Sequence, residues 1–276
     1  MKAQAVSLGA RMAYSTYAEI PAERWSRLKK MQDGPRAYKF AVEAEEEDTD
    51  AMKLGRLIHT MTLEPELVDQ EYVEWTGARR AGGEWEAFLA ANPDREVVRT
   101  QDLVQARAVA FAVRSHPVAG KLLARKGEAE TVVEWTDEET GIVCKCRIDY
   151  LATDRHPTIV DLKSTRRVDA WAYGSTIASL SYHGQAGYYH DGVLAKLGLD
   201  CVVKHIAVQS KPPYEVHVFK LSSDMVWAGS DLSHKLLAQL AECRATDTWP
   251  WQYVNEDEIE LPKWCGDDWE SEAELI

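Results

Sequence analysis

A mixed α/β fold, with a small sheet carrying helices on it, is what the sequence predicts, and three observations predict it. Strand-like runs of alternating, β-branched residues cluster in the middle of the chain, where Glu130-Thr131-Val132-Val133-Glu134-Trp135 is the clearest. Segments with helical spacing lie before and after that cluster. The order is helices, a three-strand meander, a helix, then strands, which lacks the regular strand–helix alternation of a doubly wound sheet.

The first 40 residues read as helical, because Pro21-Ala22-Glu23-Arg24-Trp25 opens a segment in which Trp25, Leu28 and Met31 share a face. Residues 43–50 form an acidic run, read as a solvated linker. Residues 51–61 have helical spacing and end near Pro65, and 76–83 form a loop holding Arg79, Arg80 and three glycines. A helix over 101–115 stops before Pro117. Strands are predicted over 130–135, 142–151 and 158–163, joined by turns at Asp137-Glu138-Glu139-Thr140-Gly141 and Asp154-Arg155-His156-Pro157. One long helix is predicted over 170–197 with Gly198 as its C-cap, then strands over 201–210 and 214–221 and a last helix over 224–244. The expected domain plan is an N-terminal helical segment with its acidic linker (1–50), a core (51–250) and an acidic C-terminal tail (251–276).

Composition sets further bounds. Hydrophobic residues make up 45% of the 276, an ordinary globular share. No run approaches the roughly 18 apolar residues of a membrane span, and Gln4 and Ser7 interrupt any apolar stretch at the start, so a cytoplasmic protein without membrane contact is expected. The five cysteines (Cys144, Cys146, Cys201, Cys243, Cys265) contain no C-x-x-C and read as buried, reduced thiols. Net charge is −13, which at first argues against a polyanionic partner. Residues 251–276, however, hold nine acids and one base, so the middle of the chain is close to balance and has room for a local basic groove.

The chemistry concentrates in the meander. With the first hairpin centred on Glu138–Thr140, Glu130 falls opposite Asp149, and Glu134 falls opposite Lys145 with complementary charge. With the second centred on Arg155–His156, Asp149 falls opposite or nearly opposite Asp161. Three carboxylates at close range repel unless a cation sits among them, and an oxygen-rich site with open positions suits Mg²⁺ or Mn²⁺. Lys163, two residues beyond Asp161, shares its strand face and could position a water and stabilise developing phosphate charge. An ordinary surface ion pair is the plainer reading of Asp161 and Lys163. Gln185 and Tyr189, four apart, share a helix face beside Gly184 and Gly187, as a ligand-facing or simply a packing surface. His59, one turn after Gly55, could reach the meander or be a structural histidine.

Together the series Gly55-x-x-x-His59, Glu130, Asp149, Asp161-x-Lys163, Gln185-x-x-x-Tyr189 resembles the motifs of RecB-like and RecE-type nucleases of the PD-(D/E)xK superfamily. The resemblance to the RecE (exonuclease VIII) C-terminal nuclease domain is carried by residues 54–59, 63–66, 140–149 and 160–165, with Thr248-Trp249-Pro250 and Leu261-Pro262-Lys263-Trp264. It implies a PD-(D/E)xK restriction-endonuclease-like core. Asp149 and Asp161 would be principal metal ligands with the Leu162 carbonyl, Glu130 the acid of the first strand (Glu134 a weaker substitute), and His59 would complete the metal site. Lys163 would orient the attacking water, and Gln185 and Tyr189 would position the DNA strand. Asp161 stands where many relatives carry Glu, a variation also found in RecE-type sequences. The implied activity is Mg²⁺- or Mn²⁺-dependent, ATP-independent hydrolysis of linear double-stranded DNA from the 5′ end, leaving 3′ single strands. A ring-shaped homo-oligomer and a single-strand annealing protein as partner come with it. No nucleotide-cradling G-x-x-x-x-G-K-[ST] occurs, and the spread of the cysteines predicts no iron–sulfur cluster. Arg79, Arg80, Arg166 and Arg167 are candidate phosphate contacts, with solvated surface charge as the alternative. Rival readings are a structure-specific or restriction-like endonuclease, and a catalytically silent DNA-binding subunit.

Overall fold

The computed structural model describes residues 12, 14–44 and 48–261. Helices α1 (Tyr14–Glu19), α2 (Trp25–Leu28) and α3 (Pro35–Glu43) come first, followed by α4 (Asp50–Leu63) and the short α5 (Val68–Glu71). A parallel pair of short strands, β1 (Tyr72–Trp75) and β2 (Glu96–Arg99), brackets α6 (Gly83–Ala91). Helices α7 (Thr100–Ser115) and α8 (Ala119–Leu123) lead into β3 (Gly127–Thr136), β4 (Val143–Ala152) and β5 (Thr158–Thr165). Then come α9 (Ala170–Ser179), α10 (Tyr182–Leu197), β6 (Val202–Gln209), β7 (Val216–Lys220) and α11 (Ser223–Thr246).

Strands β3 to β7 form one mixed sheet in chain order, antiparallel except for the parallel β5–β6 pair that α9 and α10 connect. Both faces are covered, so the strands are apolar on both sides. One face packs on α10, α11 and the N-terminal segment, through Trp25, Leu28, Met31, Cys146, Ile148, Tyr188 and Leu237. The other packs on α4 and α7, through Leu57, Ile58, Val109, Tyr150, Val160 and Ile206. Cys144, Cys146, Cys201 and Cys243 are buried free thiols; Cys265 and the Pro262–Trp264 stretch lie outside the described residues.

Several expectations need correction. The predicted single helix over 170–197 is two, because Ser181 adopts a left-handed backbone (φ 55°) that breaks the chain between α9 and α10. Gly198 (φ 65°) caps α10 as expected. Register sets Glu134 opposite Lys145 as predicted, but no ion pair forms. Instead Lys145 is buried and its Nζ donates to the carbonyls of Tyr17 (2.6 Å), Ala18 (3.3 Å) and Ile20 (2.8 Å), capping the end of α1. In the acidic run the described residues are exposed and residues 45–47 lie outside the description; Asp48 makes a surface pair with Arg56, and Asp50, which opens α4, one with Arg99. Strands β1 and β2, four residues each, were too short to leave a period in the sequence.

Candidate active site

The site lies where the sheet changes its alternation. On β4, Ile148 and Leu151 belong to one apolar face, and Tyr150 and Ala152 to the other, so the regular two-residue alternation breaks at Asp149. The β4–β5 ladder ends at Tyr150↔Val160, one step short of Asp149 and Asp161. There the strands part, and the Asp149 carboxylate takes up the slack by accepting the Leu162 amide (2.6 Å). Across from Asp149, Glu130 sits between the pairs Ala129↔Tyr150 and Thr131↔Ile148, in the predicted register. Its backbone is left-handed (φ 51°), a strain of about 1–3 kcal/mol for a residue with a Cβ, which re-aims the side chain from its strand.

Helix α4 brings His59 to these two acids, with Nδ1 3.4 Å from Asp149 Oδ1 and 4.0 Å from Glu130 Oε1. Its Nε2 is 3.1 Å from the Leu162 carbonyl, a contact in which Nε2–H donates. Thr49 caps α4 by accepting the Met52 amide, which fixes where the helix starts. On β5, Lys163 Nζ donates to Asp161 Oδ1 (2.9 Å) and to Gln185 Oε1 (3.0 Å), while Gln185 Nε2 donates to Asp161 Oδ1 (3.2 Å). Nζ also lies 4.6 Å from the centre of the Tyr182 ring. A groove of about 670 Å³ opens onto the cluster, its lining including His59, Glu130, Asp149, Gln185 and Tyr189.

Charge and burial pull against each other here. Burial would lower the His59 pKa, but the Asp149 and then the Glu130 carboxylates outweigh it and raise it to about 9. Burial, then the neighbouring Asp149 charge, raises Glu130 to about 7. Asp149 is itself buried, yet His59 holds it below the usual carboxylate range. Lys163 is likewise desolvated, but Asp161 and Asp149 keep it charged.

These donors fit a divalent cation. Ligand atoms of His59, Glu130 and Asp149 all lie within 4.8 Å of one another. Asp161 is buried beside this cluster, with Oδ2 paired to Lys163 Nζ at 2.7 Å. A nitrogen, carboxylate oxygens and a nearby main-chain carbonyl form the donor set that Mg²⁺ or Mn²⁺ accepts.

His59, Glu130, Asp149, Asp161, Leu162, Lys163, Gln185 and Tyr189 are brought near the groove, His59, Glu130 and Asp149 as one cluster and Asp161 beside it with Lys163 and Gln185. The four arginines are not. Arg79 and Arg166 are exposed; Arg80 donates to the Val97 carbonyl (3.1 Å); Arg167 pairs with Asp169 (2.9 Å); none lines the groove. Sequence reasoning missed Arg147, whose Nε is 2.8 Å from Glu130 Oε2, although the hairpin register, which pairs it with Val132 and sets it diagonally across from Glu130, was a usable signal. It also missed His205, buried beside Asp161 on β6 with Nδ1 3.0 Å from the Tyr173 hydroxyl. Nothing in the sequence marked that residue.

A sheet of this topology, with acids on two adjacent strands and a D-x-K at the parting of the ladder, defines a PD-(D/E)xK nuclease-like domain. The sequence matches the model of the family described as "PDDEXK-like domain of unknown function (DUF3799)" over residues 25–258, and the chain belongs to that family. It is similar in fold to a crystal structure from Eubacterium rectale, a protein provisionally designated an exonuclease. The two are 12% identical over 94% of this chain and 100% of the other, with a TM-score of 0.62. A second structure, SSO0001, is 14% identical over 76% of this chain and 84% of its own, but its TM-score of 0.27 carries no argument. No curated protein matches the sequence.

Proposed function

We propose that the chain is an Mg²⁺- or Mn²⁺-dependent, ATP-independent exodeoxyribonuclease that degrades linear double-stranded DNA 5′→3′ and leaves 3′ single strands for recombination by annealing. The observation that carries the hydrolytic reading is the cluster of His59, Glu130 and Asp149 ligand atoms, with Asp161, Lys163 and Gln185 hydrogen-bonded together beside it. In this reading His59, Glu130, Asp149, Asp161 and the Leu162 carbonyl hold the cation. When bound, the ion polarises a phosphodiester oxygen and lowers the pKa of water. Lys163 is kept charged by Asp161 and is aimed by Gln185, so it can orient the attacking water and meet the charge that develops on phosphate. Gln185 and Tyr189, on the groove wall, position the strand. Double-strand preference, polarity, the annealing partner and a homo-oligomeric ring rest on the RecE-type resemblance.

Linear duplexes labelled separately at each 5′ and 3′ end, digested beside a closed circle, test this reading. Release of 5′ label first, with the circle intact, is the expected result. Nicking of the circle would favour an endonuclease. Binding of DNA without release of nucleotides, in Mg²⁺ or Mn²⁺, would make the domain a silent binding subunit.

A further inference from the structure

The sheet face turned away from Asp161 and Lys163 carries a second concentration of charge. In the parallel β5–β6 register Asp161 lies beside His205, and Val160 lies beside Lys204. Lys204 therefore shares the face of Val160, Ile206 and Val208, which pack with α7. The antiparallel β6–β7 register places Lys220 directly opposite Lys204. Two like charges in such a pair repel one another, and this arrangement is unfavourable unless something answers it.

Both lysines line a cavity of about 580 Å³, together with Arg155 and His156 from the β4–β5 turn. The cavity also holds Arg125 and Asp154, which are committed to each other. The Arg125 guanidinium bonds the Asp154 carboxylate, the Thr158 hydroxyl (2.9 Å) and the His156 carbonyl. Its hydrogen bond holds the Asp154 carboxyl well below the usual carboxylate range. Among the described residues Lys204, Lys220 and Arg155 form no ion pair. Three cations thus face one concave space whose single carboxylate is already neutralised, in a chain whose net charge is −13.

We propose that this cavity is a phosphate-binding site, separate from the nuclease centre, in which Lys204 and Lys220 share one doubly charged phosphate group and Arg155 closes over it. Lysines act as point charges on a phosphate, and an arginine supplies a planar fork for two of its oxygens. A phosphate held there removes the repulsion between the paired lysines. Because the cavity shares no lining residue with the groove at Asp149, its ligand is not the phosphodiester presented there. The phosphate can be free, or it can belong to a nucleic-acid backbone that crosses the outer surface.

Calorimetric titration of inorganic pyrophosphate into the full chain, in EDTA so that no divalent cation bridges it elsewhere, tests the site. Wild type is expected to bind, and Lys204→Gln/Lys220→Gln to bind about tenfold more weakly or worse, since two charge-assisted contacts go. Lys204→Arg/Lys220→Arg should retain binding. Without ligand, the Gln variant should melt no lower than wild type, because its like-charge pair is gone; pyrophosphate should raise the melting temperature of wild type and of the Arg variant more than that of the Gln variant. Competition by a DNA duplex would identify a backbone phosphate as the source, and its absence a free phosphate. Equal pyrophosphate affinity in wild type and the Gln variant, or no binding by wild type, would overturn the proposal. Absence of DNA cleavage by wild type would sink the nuclease reading and leave this one standing.

Discussion

Lys163 can be replaced without removing a proposed ligand, because it touches Asp161 and Gln185 and contributes no donor atom to the cation cluster. Lys163→Ala is expected to lose on the order of a hundredfold or more in cleavage rate, a loss typical of removing a group aimed at developing charge, while still binding Mn²⁺. Wild-type cleavage in that variant would take Lys163 out of the mechanism. His59 and Glu130 supply a second prediction. With pKa values of about 9 and about 7, both carry protons near neutrality, His59 almost fully and Glu130 about half the time. A cation must displace them, so Mn²⁺ binding at pH 7 should release about one proton or more and tighten as pH rises. Titration heats that do not depend on the ionisation enthalpy of the buffer would contradict this. The closeness of Glu130 and Asp149 was legible because strand pairing converts sequence spacing into proximity. Arg147 was legible by the same rule but overlooked, and the four arginines lie off the groove lining, because adjacency in a loop says nothing of where the loop goes.

Helices α10 and α11 touch backbone to backbone. A Cβ on Gly229 would lie 1.8 Å from the His183 carbonyl oxygen, and one on Gly187 would lie 2.0 Å from the Ser230 nitrogen. Gly229→Ala must therefore separate the helices and should cost about 3 kcal/mol or more, at the upper end for overpacking, read as a fall in the urea midpoint. An unchanged midpoint would show that the pair slides without cost. The sequence suggested this approach through Gly184 and Gly187 but did not say what would come close. Strand β6 makes another prediction. Burial lowers the His205 pKa to about 4 from the ordinary 6.5. Between those values the unfolded chain takes up a proton that the folded one refuses, so stability falls as pH drops from 6.5 to 4, by about 3 kcal/mol from this group. His205→Phe should flatten that part of the stability–pH profile; a variant with the same slope would assign the titration elsewhere. The break between α9 and α10 was illegible because a left-handed backbone at a serine runs against its local preference.

At the scale of the whole molecule, one wall of the groove comes from the beginning of the chain, with Tyr14, Tyr17, Trp25 and Lys29 among its lining. That wall is fastened by distant parts. Lys145 holds the carbonyls at the end of α1, Glu23 forms a bridge with Cys144 on β4, and Tyr188 donates to the Glu23 carbonyl (2.8 Å). Arg244 on α11 donates to the Glu23 carboxylate (2.7 Å). Lys145→Met should leave these carbonyls buried without a donor, loosening α1. A rise in KM for DNA larger than the fall in kcat is the expected signature, because the wall binds and does not react. Equal loss in both would place α1 nearer the chemistry. The sequence revealed the helical character of this segment, but its seat depends on contacts more than a hundred residues away, which no local pattern encodes. A ribosome delivers residue 23 long before residue 244. The wall of the groove is made early and seated late, so a nascent chain holds its acids and its lysine without a finished cleft until α11 has been synthesised.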